Sequence, residues 1–441
     1  MNIIKKTTQL KHHSGFRKYF ANTSWLLGER ILRITVSLFV AIYVARYLGP
    51  ERYGLLSYAL SFVWLFSTLA SLGLDDILLR ELVNNPEKRQ YLIGTVFWLK
   101  ICGFFLMGGA IALVLLLKSE DQQISWLIAI ITLGFFFQAT NVIEFYFQSQ
   151  IQSKFIVRAQ IIQLLLTSLF KISLVWNEAE LVWFAVALML DQAVVAILFL
   201  KLYQWKIEKF PYLFFNKIKA KLLLKDALPL IFAGMVVSIY MKIDQVMLME
   251  MLNAKSVGVY AAAVKLCETW YIVPTALMAS LFPAVVESRK KSPAIYEQRI
   301  QKLYDLMFWG SVAVALPTTM LSDWIILILY GVNFQEAANI LRIYIWAGVF
   351  VSVGVASSKW LITENLQSYL LYITTFGAIL NVGCNLWFIP IYGIKGAAFS
   401  TLLAQGTVSF VGLSFFGKTR NNCWKVINSF NLHGVYKRIF H

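Results

Sequence analysis

Charged side chains stand inside stretches of sequence that are otherwise apolar, and their types and spacing suit two kinds of chemistry. Glu29, Arg30 and Arg33 fall in one such stretch. Their spacing of three and four residues puts all three on one stripe of a helix. Lys242 and Asp244 fall in a later apolar run, and Lys265 and Glu268 in the run after it. At ~1.5 Å of rise per residue, Lys242 and Lys265 reach a similar depth on sequential, antiparallel helices. An ionisable group at hydrocarbon depth costs ~2.5 kcal/mol or more, so it normally faces a wet cavity or a partner. Cations in that position can replace the water shed by an anion, arginine doing so with forked hydrogen bonds. The candidate substrate-binding residues are therefore Arg30, Arg33, Lys242 and Lys265. Carboxylates at depth can take a coupling ion, a proton or sodium, which makes Glu29, Asp191, Asp244 and Glu268 the candidate coupling or gating residues; Glu144 is a further acid of this kind. The competing reading is structural: Glu29 with Arg33, and Lys265 with Glu268, are mutually neutralising pairs that hold helices together. Lys100 and Lys171 lie nearer the ends of their stretches and read as snorkelling side chains.

The elements that carry these residues are membrane helices. Hydrophobic residues make up 59% of the 441 and charged residues only 14%, against about half and a quarter in soluble domains. Blocks of roughly twenty apolar residues match a ~30 Å hydrocarbon core, and they recur about twelve times. The spans expected are 20–47, 53–75, 91–117, 123–149, 155–176, 180–203, 226–251, 258–286, 303–330, 340–363, 367–389 and 393–416. A barrel would show ~10-residue alternating segments instead. The fold class is all-α, a polytopic membrane protein with two six-helix lobes.

The formal charge of +17 is explained by position. Of the 40 basic residues, 28 fall in the tails and every second gap, including the seven lysines from Lys201 to Lys225; Arg46, Arg52, Lys118, Lys255 and Lys395 alone occupy the opposite gaps. The positive-inside rule makes both termini cytoplasmic. The basic excess then serves topology and anionic headgroups of the lipid bilayer, not nucleic acid.

Several chemistries are excluded. All four histidines (His12, His13, His433, His441) sit in the tails, and Cys102, Cys267, Cys384 and Cys423 show no ligand spacing, so no metal site and no disulfide framework is expected. The first span is too long and too charged for a cleaved signal peptide. Gly412 to Thr419 fits the phosphate-loop pattern letter for letter, but it ends a membrane span rather than following a buried strand, which rules out nucleotide binding. Gln138, Asn141 and Gln148, and Asn381 with Asn385, recur at helical spacing and suit either a sugar path or interhelical hydrogen bonds. Pro274, Pro283 and Pro317 lie inside apolar runs and should bend them.

The basic stretch around 206–225 divides the chain into an N-terminal lobe (1–205), a cytoplasmic linker (206–225), a C-terminal lobe (226–416) and a basic cytoplasmic tail (417–441). The lobes echo one another where Leu48-Gly49-Pro50-Glu51-Arg52-Tyr53-Gly54 leaves the first helix as Leu252-Asn253-Ala254-Lys255-Ser256-Val257-Gly258 leaves the seventh. Two six-helix groups of the same orientation form a plan common among alternating-access carriers.

From about residue 20 to 416 the chain resembles the Wzx-type polysaccharide flippases of the multidrug, oligosaccharidyl-lipid and polysaccharide exporter superfamily. The residues that carry the resemblance are the helix from Asn22-Thr23-Ser24-Trp25 to Arg33, the loop Ala45 to Gly54, Asp244 followed by Gly258-Val259-Tyr260-Ala261, the segment Leu329 to Phe334, and Ile391-Tyr392-Gly393-Ile394-Lys395-Gly396-Ala397-Ala398. The resemblance implies a carrier in the bacterial inner membrane that moves undecaprenyl-pyrophosphate-linked oligosaccharide to the periplasmic leaflet for O-antigen or exopolysaccharide, with a polysaccharide polymerase as a further partner and no cofactor beyond a coupling proton or sodium ion. A pyrophosphate must shed water to enter a low-dielectric cavity, and the cations named above would meet it. Two other classes compete. A membrane enzyme joining sugars would need a sizeable external loop, and the external gaps run only to about ten residues, so no catalytic residues are assigned. A cation-coupled exporter of small molecules or drugs would favour an apolar or acidic pocket over Arg and Lys.

Overall fold

In the computed structural model, residues 14–118, 121–207, 209–212, 214–290, 292–431 and 438 are described, with the side chains of 14–24, 26 and 27 set apart from them. The four histidines, Lys5, Lys6, Lys11, Lys291 and Lys437 lie outside the described residues, as do the side chains of Arg17 and Lys18.

The chain is helical from Ser14 to Leu65 except at Gly49 (φ 70°, ψ 172°), which divides it into α1 (14–48) and α2 (50–65). That conformation is open to glycine and strained for other residues, and Pro50 behind it has the fixed φ that starts a helix. The chain therefore reverses with no loop. There follow α3 (Ser67–Ser71), α4 (Asp75–Asn84), α5 (Arg89–Lys118), α6 (Gln122–Phe137), α7 (Val142–Ser149), α8 (Ser153–Trp176), α9 (Leu181–Lys206), α10 (Lys217–Met251), α11 (Ala254–Trp270), α12 (Ile272–Ser288), α13 (Pro293–Met320), α14 (Ser322–Tyr330), α15 (Ala337–Thr363), α16 (Gln367–Tyr392), α17 (Ile394–Gly406), α18 (Gly412–Ser414) and α19 (Gly417–Asn428). Among the described residues there is no strand. Among the described residues ten helices are long and apolar enough to cross a bilayer, and α13 with α14 make one further bent span. One of the ten, Gly28–Leu65, holds the break at Gly49 and so covers parts of two of the spans read from the sequence.

Several of those spans are interrupted. The helix expected over 258–286 breaks at Tyr271, because Pro274 has no N–H for the carbonyl of Trp270. The span over 303–330 turns by 73°. That turn falls at Leu321, one turn beyond Pro317, after Thr318 and Thr319 return their hydroxyls to the carbonyls of Val314 and Ala315 at 2.8 Å each, a pattern that bends helices.

The chain forms two compact units, one of Met1–Val44 with Phe62–Met235 and the other of Ala45–Ser61 with Val236–His441. Their ranges differ from the expected lobe boundaries at two places. Residues 45–61 join the second unit, and the basic stretch 206–225 packs as part of the first. In the first unit Leu78, Ile93, Val142, Phe147, Ile156, Phe199 and Tyr203 form a fully packed interior, while Leu116, Leu117 and Leu169 lie open. Since lipid is as apolar as leucine, close packing and interhelical hydrogen bonds must select this arrangement rather than water exclusion.

In the second unit the starts of α2 and α11 cross at two glycines in matching positions of the echoed loops. A Cβ on Gly54 would fall on the carbonyl oxygen of Ala254, and a Cβ on Gly258 on that of Pro50. Further along, Ser311 donates to Ser352 at 2.6 Å. Tyr304 donates to Asn422 of α19 at 3.0 Å and Trp309 to the carbonyl of Ser429 at 2.8 Å, so the tail helix is stitched to α13. Asp305, 1% exposed, is met from the tail by Arg438 at 2.8 and 3.1 Å. Arg438→Ala should cost about 3 kcal/mol, because it leaves a buried carboxylate without its cation; thermal unfolding in detergent should report the loss, and Asp305→Asn in the same background should recover much of it.

Candidate functional site

The first unit gathers charge around the stripe on α1. Arg33 donates from Nε to Glu29 Oε1 at 2.5 Å, with Glu29 buried and Arg33 half-exposed. Arg30 is exposed, and among the described residues it makes no ion pair. Glu144 on α7 accepts from Gln148 at 3.0 Å and lies within electrostatic reach of Arg33, Glu29 and Asp75. Asp75, at the start of α4, pairs with Lys100 of α5. The reading of Lys100 as snorkelling is corrected here. The side chain is 5% exposed, its charge met by Asp75 and its ammonium 5.5 Å from the centre of the Phe145 ring. Lys171 is corrected likewise, since it meets Asp191 at 2.5 Å inside the unit, and Gln163 donates to the same carboxylate at 3.1 Å. Sequence position gives a residue's depth but not the azimuth of its side chain, so a lysine turned inward and one turned to the headgroups look alike.

The second unit holds a different arrangement around Asp244 of α10, which is 4% exposed. Its carboxylate accepts from Tyr260 of α11 at 2.7 Å, from Asn385 of α16 at 2.7 Å and from Thr401 of α17 at 2.5 Å. Asn385 also donates to Asn381 at 3.3 Å. Among the described residues no lysine or arginine pairs with Asp244, so this carboxylate is solvated by neutral dipoles drawn from three other helices. Asn381 and Asn385 are fully buried, and Asn385 Oδ1 and Asn381 Nδ2 have no hydrogen-bond partner. A buried polar atom left unpaired costs ~1–3 kcal/mol, and both atoms belong to residues that neighbour the Asp244 carboxylate. Two residues from Asp244 along α10, Lys242 meets Glu268 of α11 at 3.0 and 3.4 Å; Lys265, one turn before Glu268, is half-buried.

Of the eight candidates, the structure joins Glu29 to Arg33, Lys242 to Glu268, and Asp191 to Lys171. Asp244 stands among hydroxyl and amide groups. Tyr260, Asn381, Asn385 and Thr401 were not read from the sequence as its partners, although the asparagines stood out as a polar stripe. Thr401 carries no signal in a run of small residues. Among the described residues no three His, Cys, Asp or Glu side chains gather as a metal site.

Fold and site define a class, a polytopic membrane protein whose polar groups are held at depth. The chain belongs to the family described as polysaccharide biosynthesis protein, whose model matches residues 19–289. It is similar to the probable low-salt glycan biosynthesis flippase Agl15 of Haloferax volcanii, at 26% identity over 197 residues, 42% of this chain and 41% of that relative; the match thus spans about two-fifths of the curated relative's length. Two solved structures share the fold. An inward-facing multidrug resistance MATE family transporter of the MOP superfamily superposes with a TM-score of 0.69 at 14% identity, covering 90% of this chain and 95% of that one. The lipid II flippase MurJ in an inward closed conformation gives 0.65 at 15%, covering 92% and 90%.

Proposed function

We propose that this chain is a flippase that carries undecaprenyl-pyrophosphate-linked oligosaccharide units across the bacterial inner membrane by alternating access, with both termini cytoplasmic, for O-antigen or exopolysaccharide assembly. The observation that carries the reading is Arg30, an exposed guanidinium with no acidic partner among the described residues, beside an Arg33 held in place by Glu29, on a chain of the polysaccharide biosynthesis family. The free fork of Arg30 can take up phosphate oxygens bidentately, and Arg33, tethered but half-exposed, adds field.

Coupling is assigned to Asp244. One carboxylate among neutral oxygens balances a single positive charge, so the guest is a proton or a sodium ion; a divalent cation would leave a net charge buried. Turning the amide of Asn385 would bring its unpaired oxygen toward that guest, and amide nitrogen and oxygen are interchangeable on shape alone.

Arg30→Ala should lower surface polysaccharide by about 10- to 100-fold, the worth of a hydrogen bond to a charged group, while lipid-linked units accumulate in the inner leaflet. Arg30→Lys should recover part of it, since the charge is kept and the fork is lost. Normal polymer from a well-expressed Arg30→Ala, Arg33→Ala double variant would remove the cationic reading. It would favour a second one, export of cationic small molecules, which draws support from the carboxylates of Glu29 and Asp75, each within electrostatic reach of Glu144 in the same unit.

A further inference from the structure

The first unit contains a pocket of about 750 Å³ that none of the candidate site residues lines. One wall is the stretch between α9 and α10, which the sequence presents as a free basic linker. It is instead strapped to the start of α5: Trp98 donates from Nε1 to the carbonyl of Tyr212 at 2.7 Å, the backbone N–H of Asn216 donates to Thr95 Oγ1 at 3.0 Å, and the rings of Phe97 and Phe210 meet edge-on at 5.1 Å. Gly94 permits the approach, because a Cβ there would strike the carbonyl oxygens of Pro211 and Phe214. The interior is apolar, lined among others by Phe97, Phe137 and Leu200. Lys209 on the strap and Gln204 at the end of α9 are polar lining side chains, both exposed, and among the described residues lining the pocket there is no carboxylate. Trp98, Trp205 and Tyr212 are also exposed at this end, as befits the depth of lipid headgroups. Lys206 keeps its ammonium in the neighbourhood, 3.8 Å from the centre of the Trp205 ring and 5.0 Å from that of Phe155.

We propose that this pocket binds an anionic phospholipid of the surrounding leaflet, with an acyl chain among the phenylalanines and the phosphodiester on Lys209 and Gln204. The volume lies within the ~300–1,000 Å³ of ligand sites, and basic pockets between membrane helices are recognised sites for anionic headgroups. A single lysine with an amide complements one negative charge rather than a pyrophosphate, whose counter-charges stand on α1. A bound lipid would hold the strap, and through it the connection into α10, against α5.

The test is native mass spectrometry of the purified full-length protein offered equimolar phosphatidylglycerol and phosphatidylcholine of the same chains. The wild type should retain phosphatidylglycerol about fivefold over phosphatidylcholine, the weight of one basic residue near an anionic headgroup. Lys209→Gln should abolish that preference and still retain lipid, whereas Lys201→Gln, on α9 outside the lining, should leave it unchanged. Leu200→Trp and, at a more exposed lining position, Ile197→Trp should retain neither lipid while unfolding at the wild-type temperature. Equal retention of the two lipids by the wild type would overturn the proposal, as would an undiminished preference in Lys209→Gln. Displacement of phosphatidylglycerol by equimolar polyprenyl phosphate would overturn it in favour of the carrier lipid as occupant.

Discussion

Replacing Asp244 by asparagine should lower surface polysaccharide about 100-fold, near the upper end of the coupling strength typical between two ligand sites, with the protein still inserted and at least as stable as the wild type. The stability expectation follows from the surroundings. Asparagine has the same shape, its oxygen still accepts from Tyr260 or Thr401, and its amide N–H meets the oxygen of Asn385 once that amide, which now donates to Asp244, turns over. Removing a buried charge also removes its desolvation cost. Function is lost because the only anionic group in this cage is gone and no ion needs to be taken up. Thr401→Val, which removes one hydroxyl at constant shape, should give an intermediate loss of about tenfold. Quantifying surface polymer alongside detergent thermal unfolding separates the two effects. An active Asp244→Asn variant would show that this carboxylate only stitches helices together.

Gly258→Leu should prevent the protein from accumulating in the membrane, and Gly54→Leu should do the same. At each glycine the absent Cβ makes room for a carbonyl oxygen at the start of the other helix, so a side chain at either position must push α2 and α11 apart. Even Gly258→Ala overpacks the crossing and should cost about 2 kcal/mol. Because the two contacts share one crossing, the paired alanine variant should cost less than the sum of the single ones, the coupling that a double-mutant cycle measures. By contrast Gly28→Ala, at a position with open space around it, should be silent. Membrane protein yield and unfolding temperature report both, and wild-type yield of Gly258→Leu would mean that the crossing is dispensable.

Those two sites also mark what can be read from the residues alone. The helices were legible because bilayer thickness demands long apolar runs, and the helix reversal at Gly49-Pro50 was legible as a boundary between spans. The echo of Gly54 in Gly258 was visible as a pattern, but that the two glycines pack on one another requires knowing which helices are neighbours. The same limit governs the site. Asp244 stood out as an acid at membrane depth, while its cage draws on α11, α16 and α17, whose proximity is a tertiary fact. Glu29 and Arg33 pair within one helix, and there the four-residue spacing sufficed. The pairing of Lys242 with Glu268 joins two helices and was not foreseen, nor was that of Lys100 with Asp75. The stretch 206–225 looked like a tether because its lysines dominate its composition; Phe210, Tyr212 and the absent side chain of Gly94 decide its packing instead.

The central claim is that this chain moves a lipid-linked, anionic saccharide under control of a monovalent ion at Asp244. It is tested most directly in proteoliposomes containing the purified protein and a fluorescent polyprenyl-pyrophosphate-linked oligosaccharide, with translocation read as loss of access to an externally added quencher. The predicted result is translocation that is accelerated by a sodium or a proton gradient, slowed by Arg30→Ala and no longer gradient-dependent in Asp244→Asn. Failure to translocate the lipid-linked saccharide under either gradient, in vesicles that expel a cationic dye when the same gradient is applied, would contradict it.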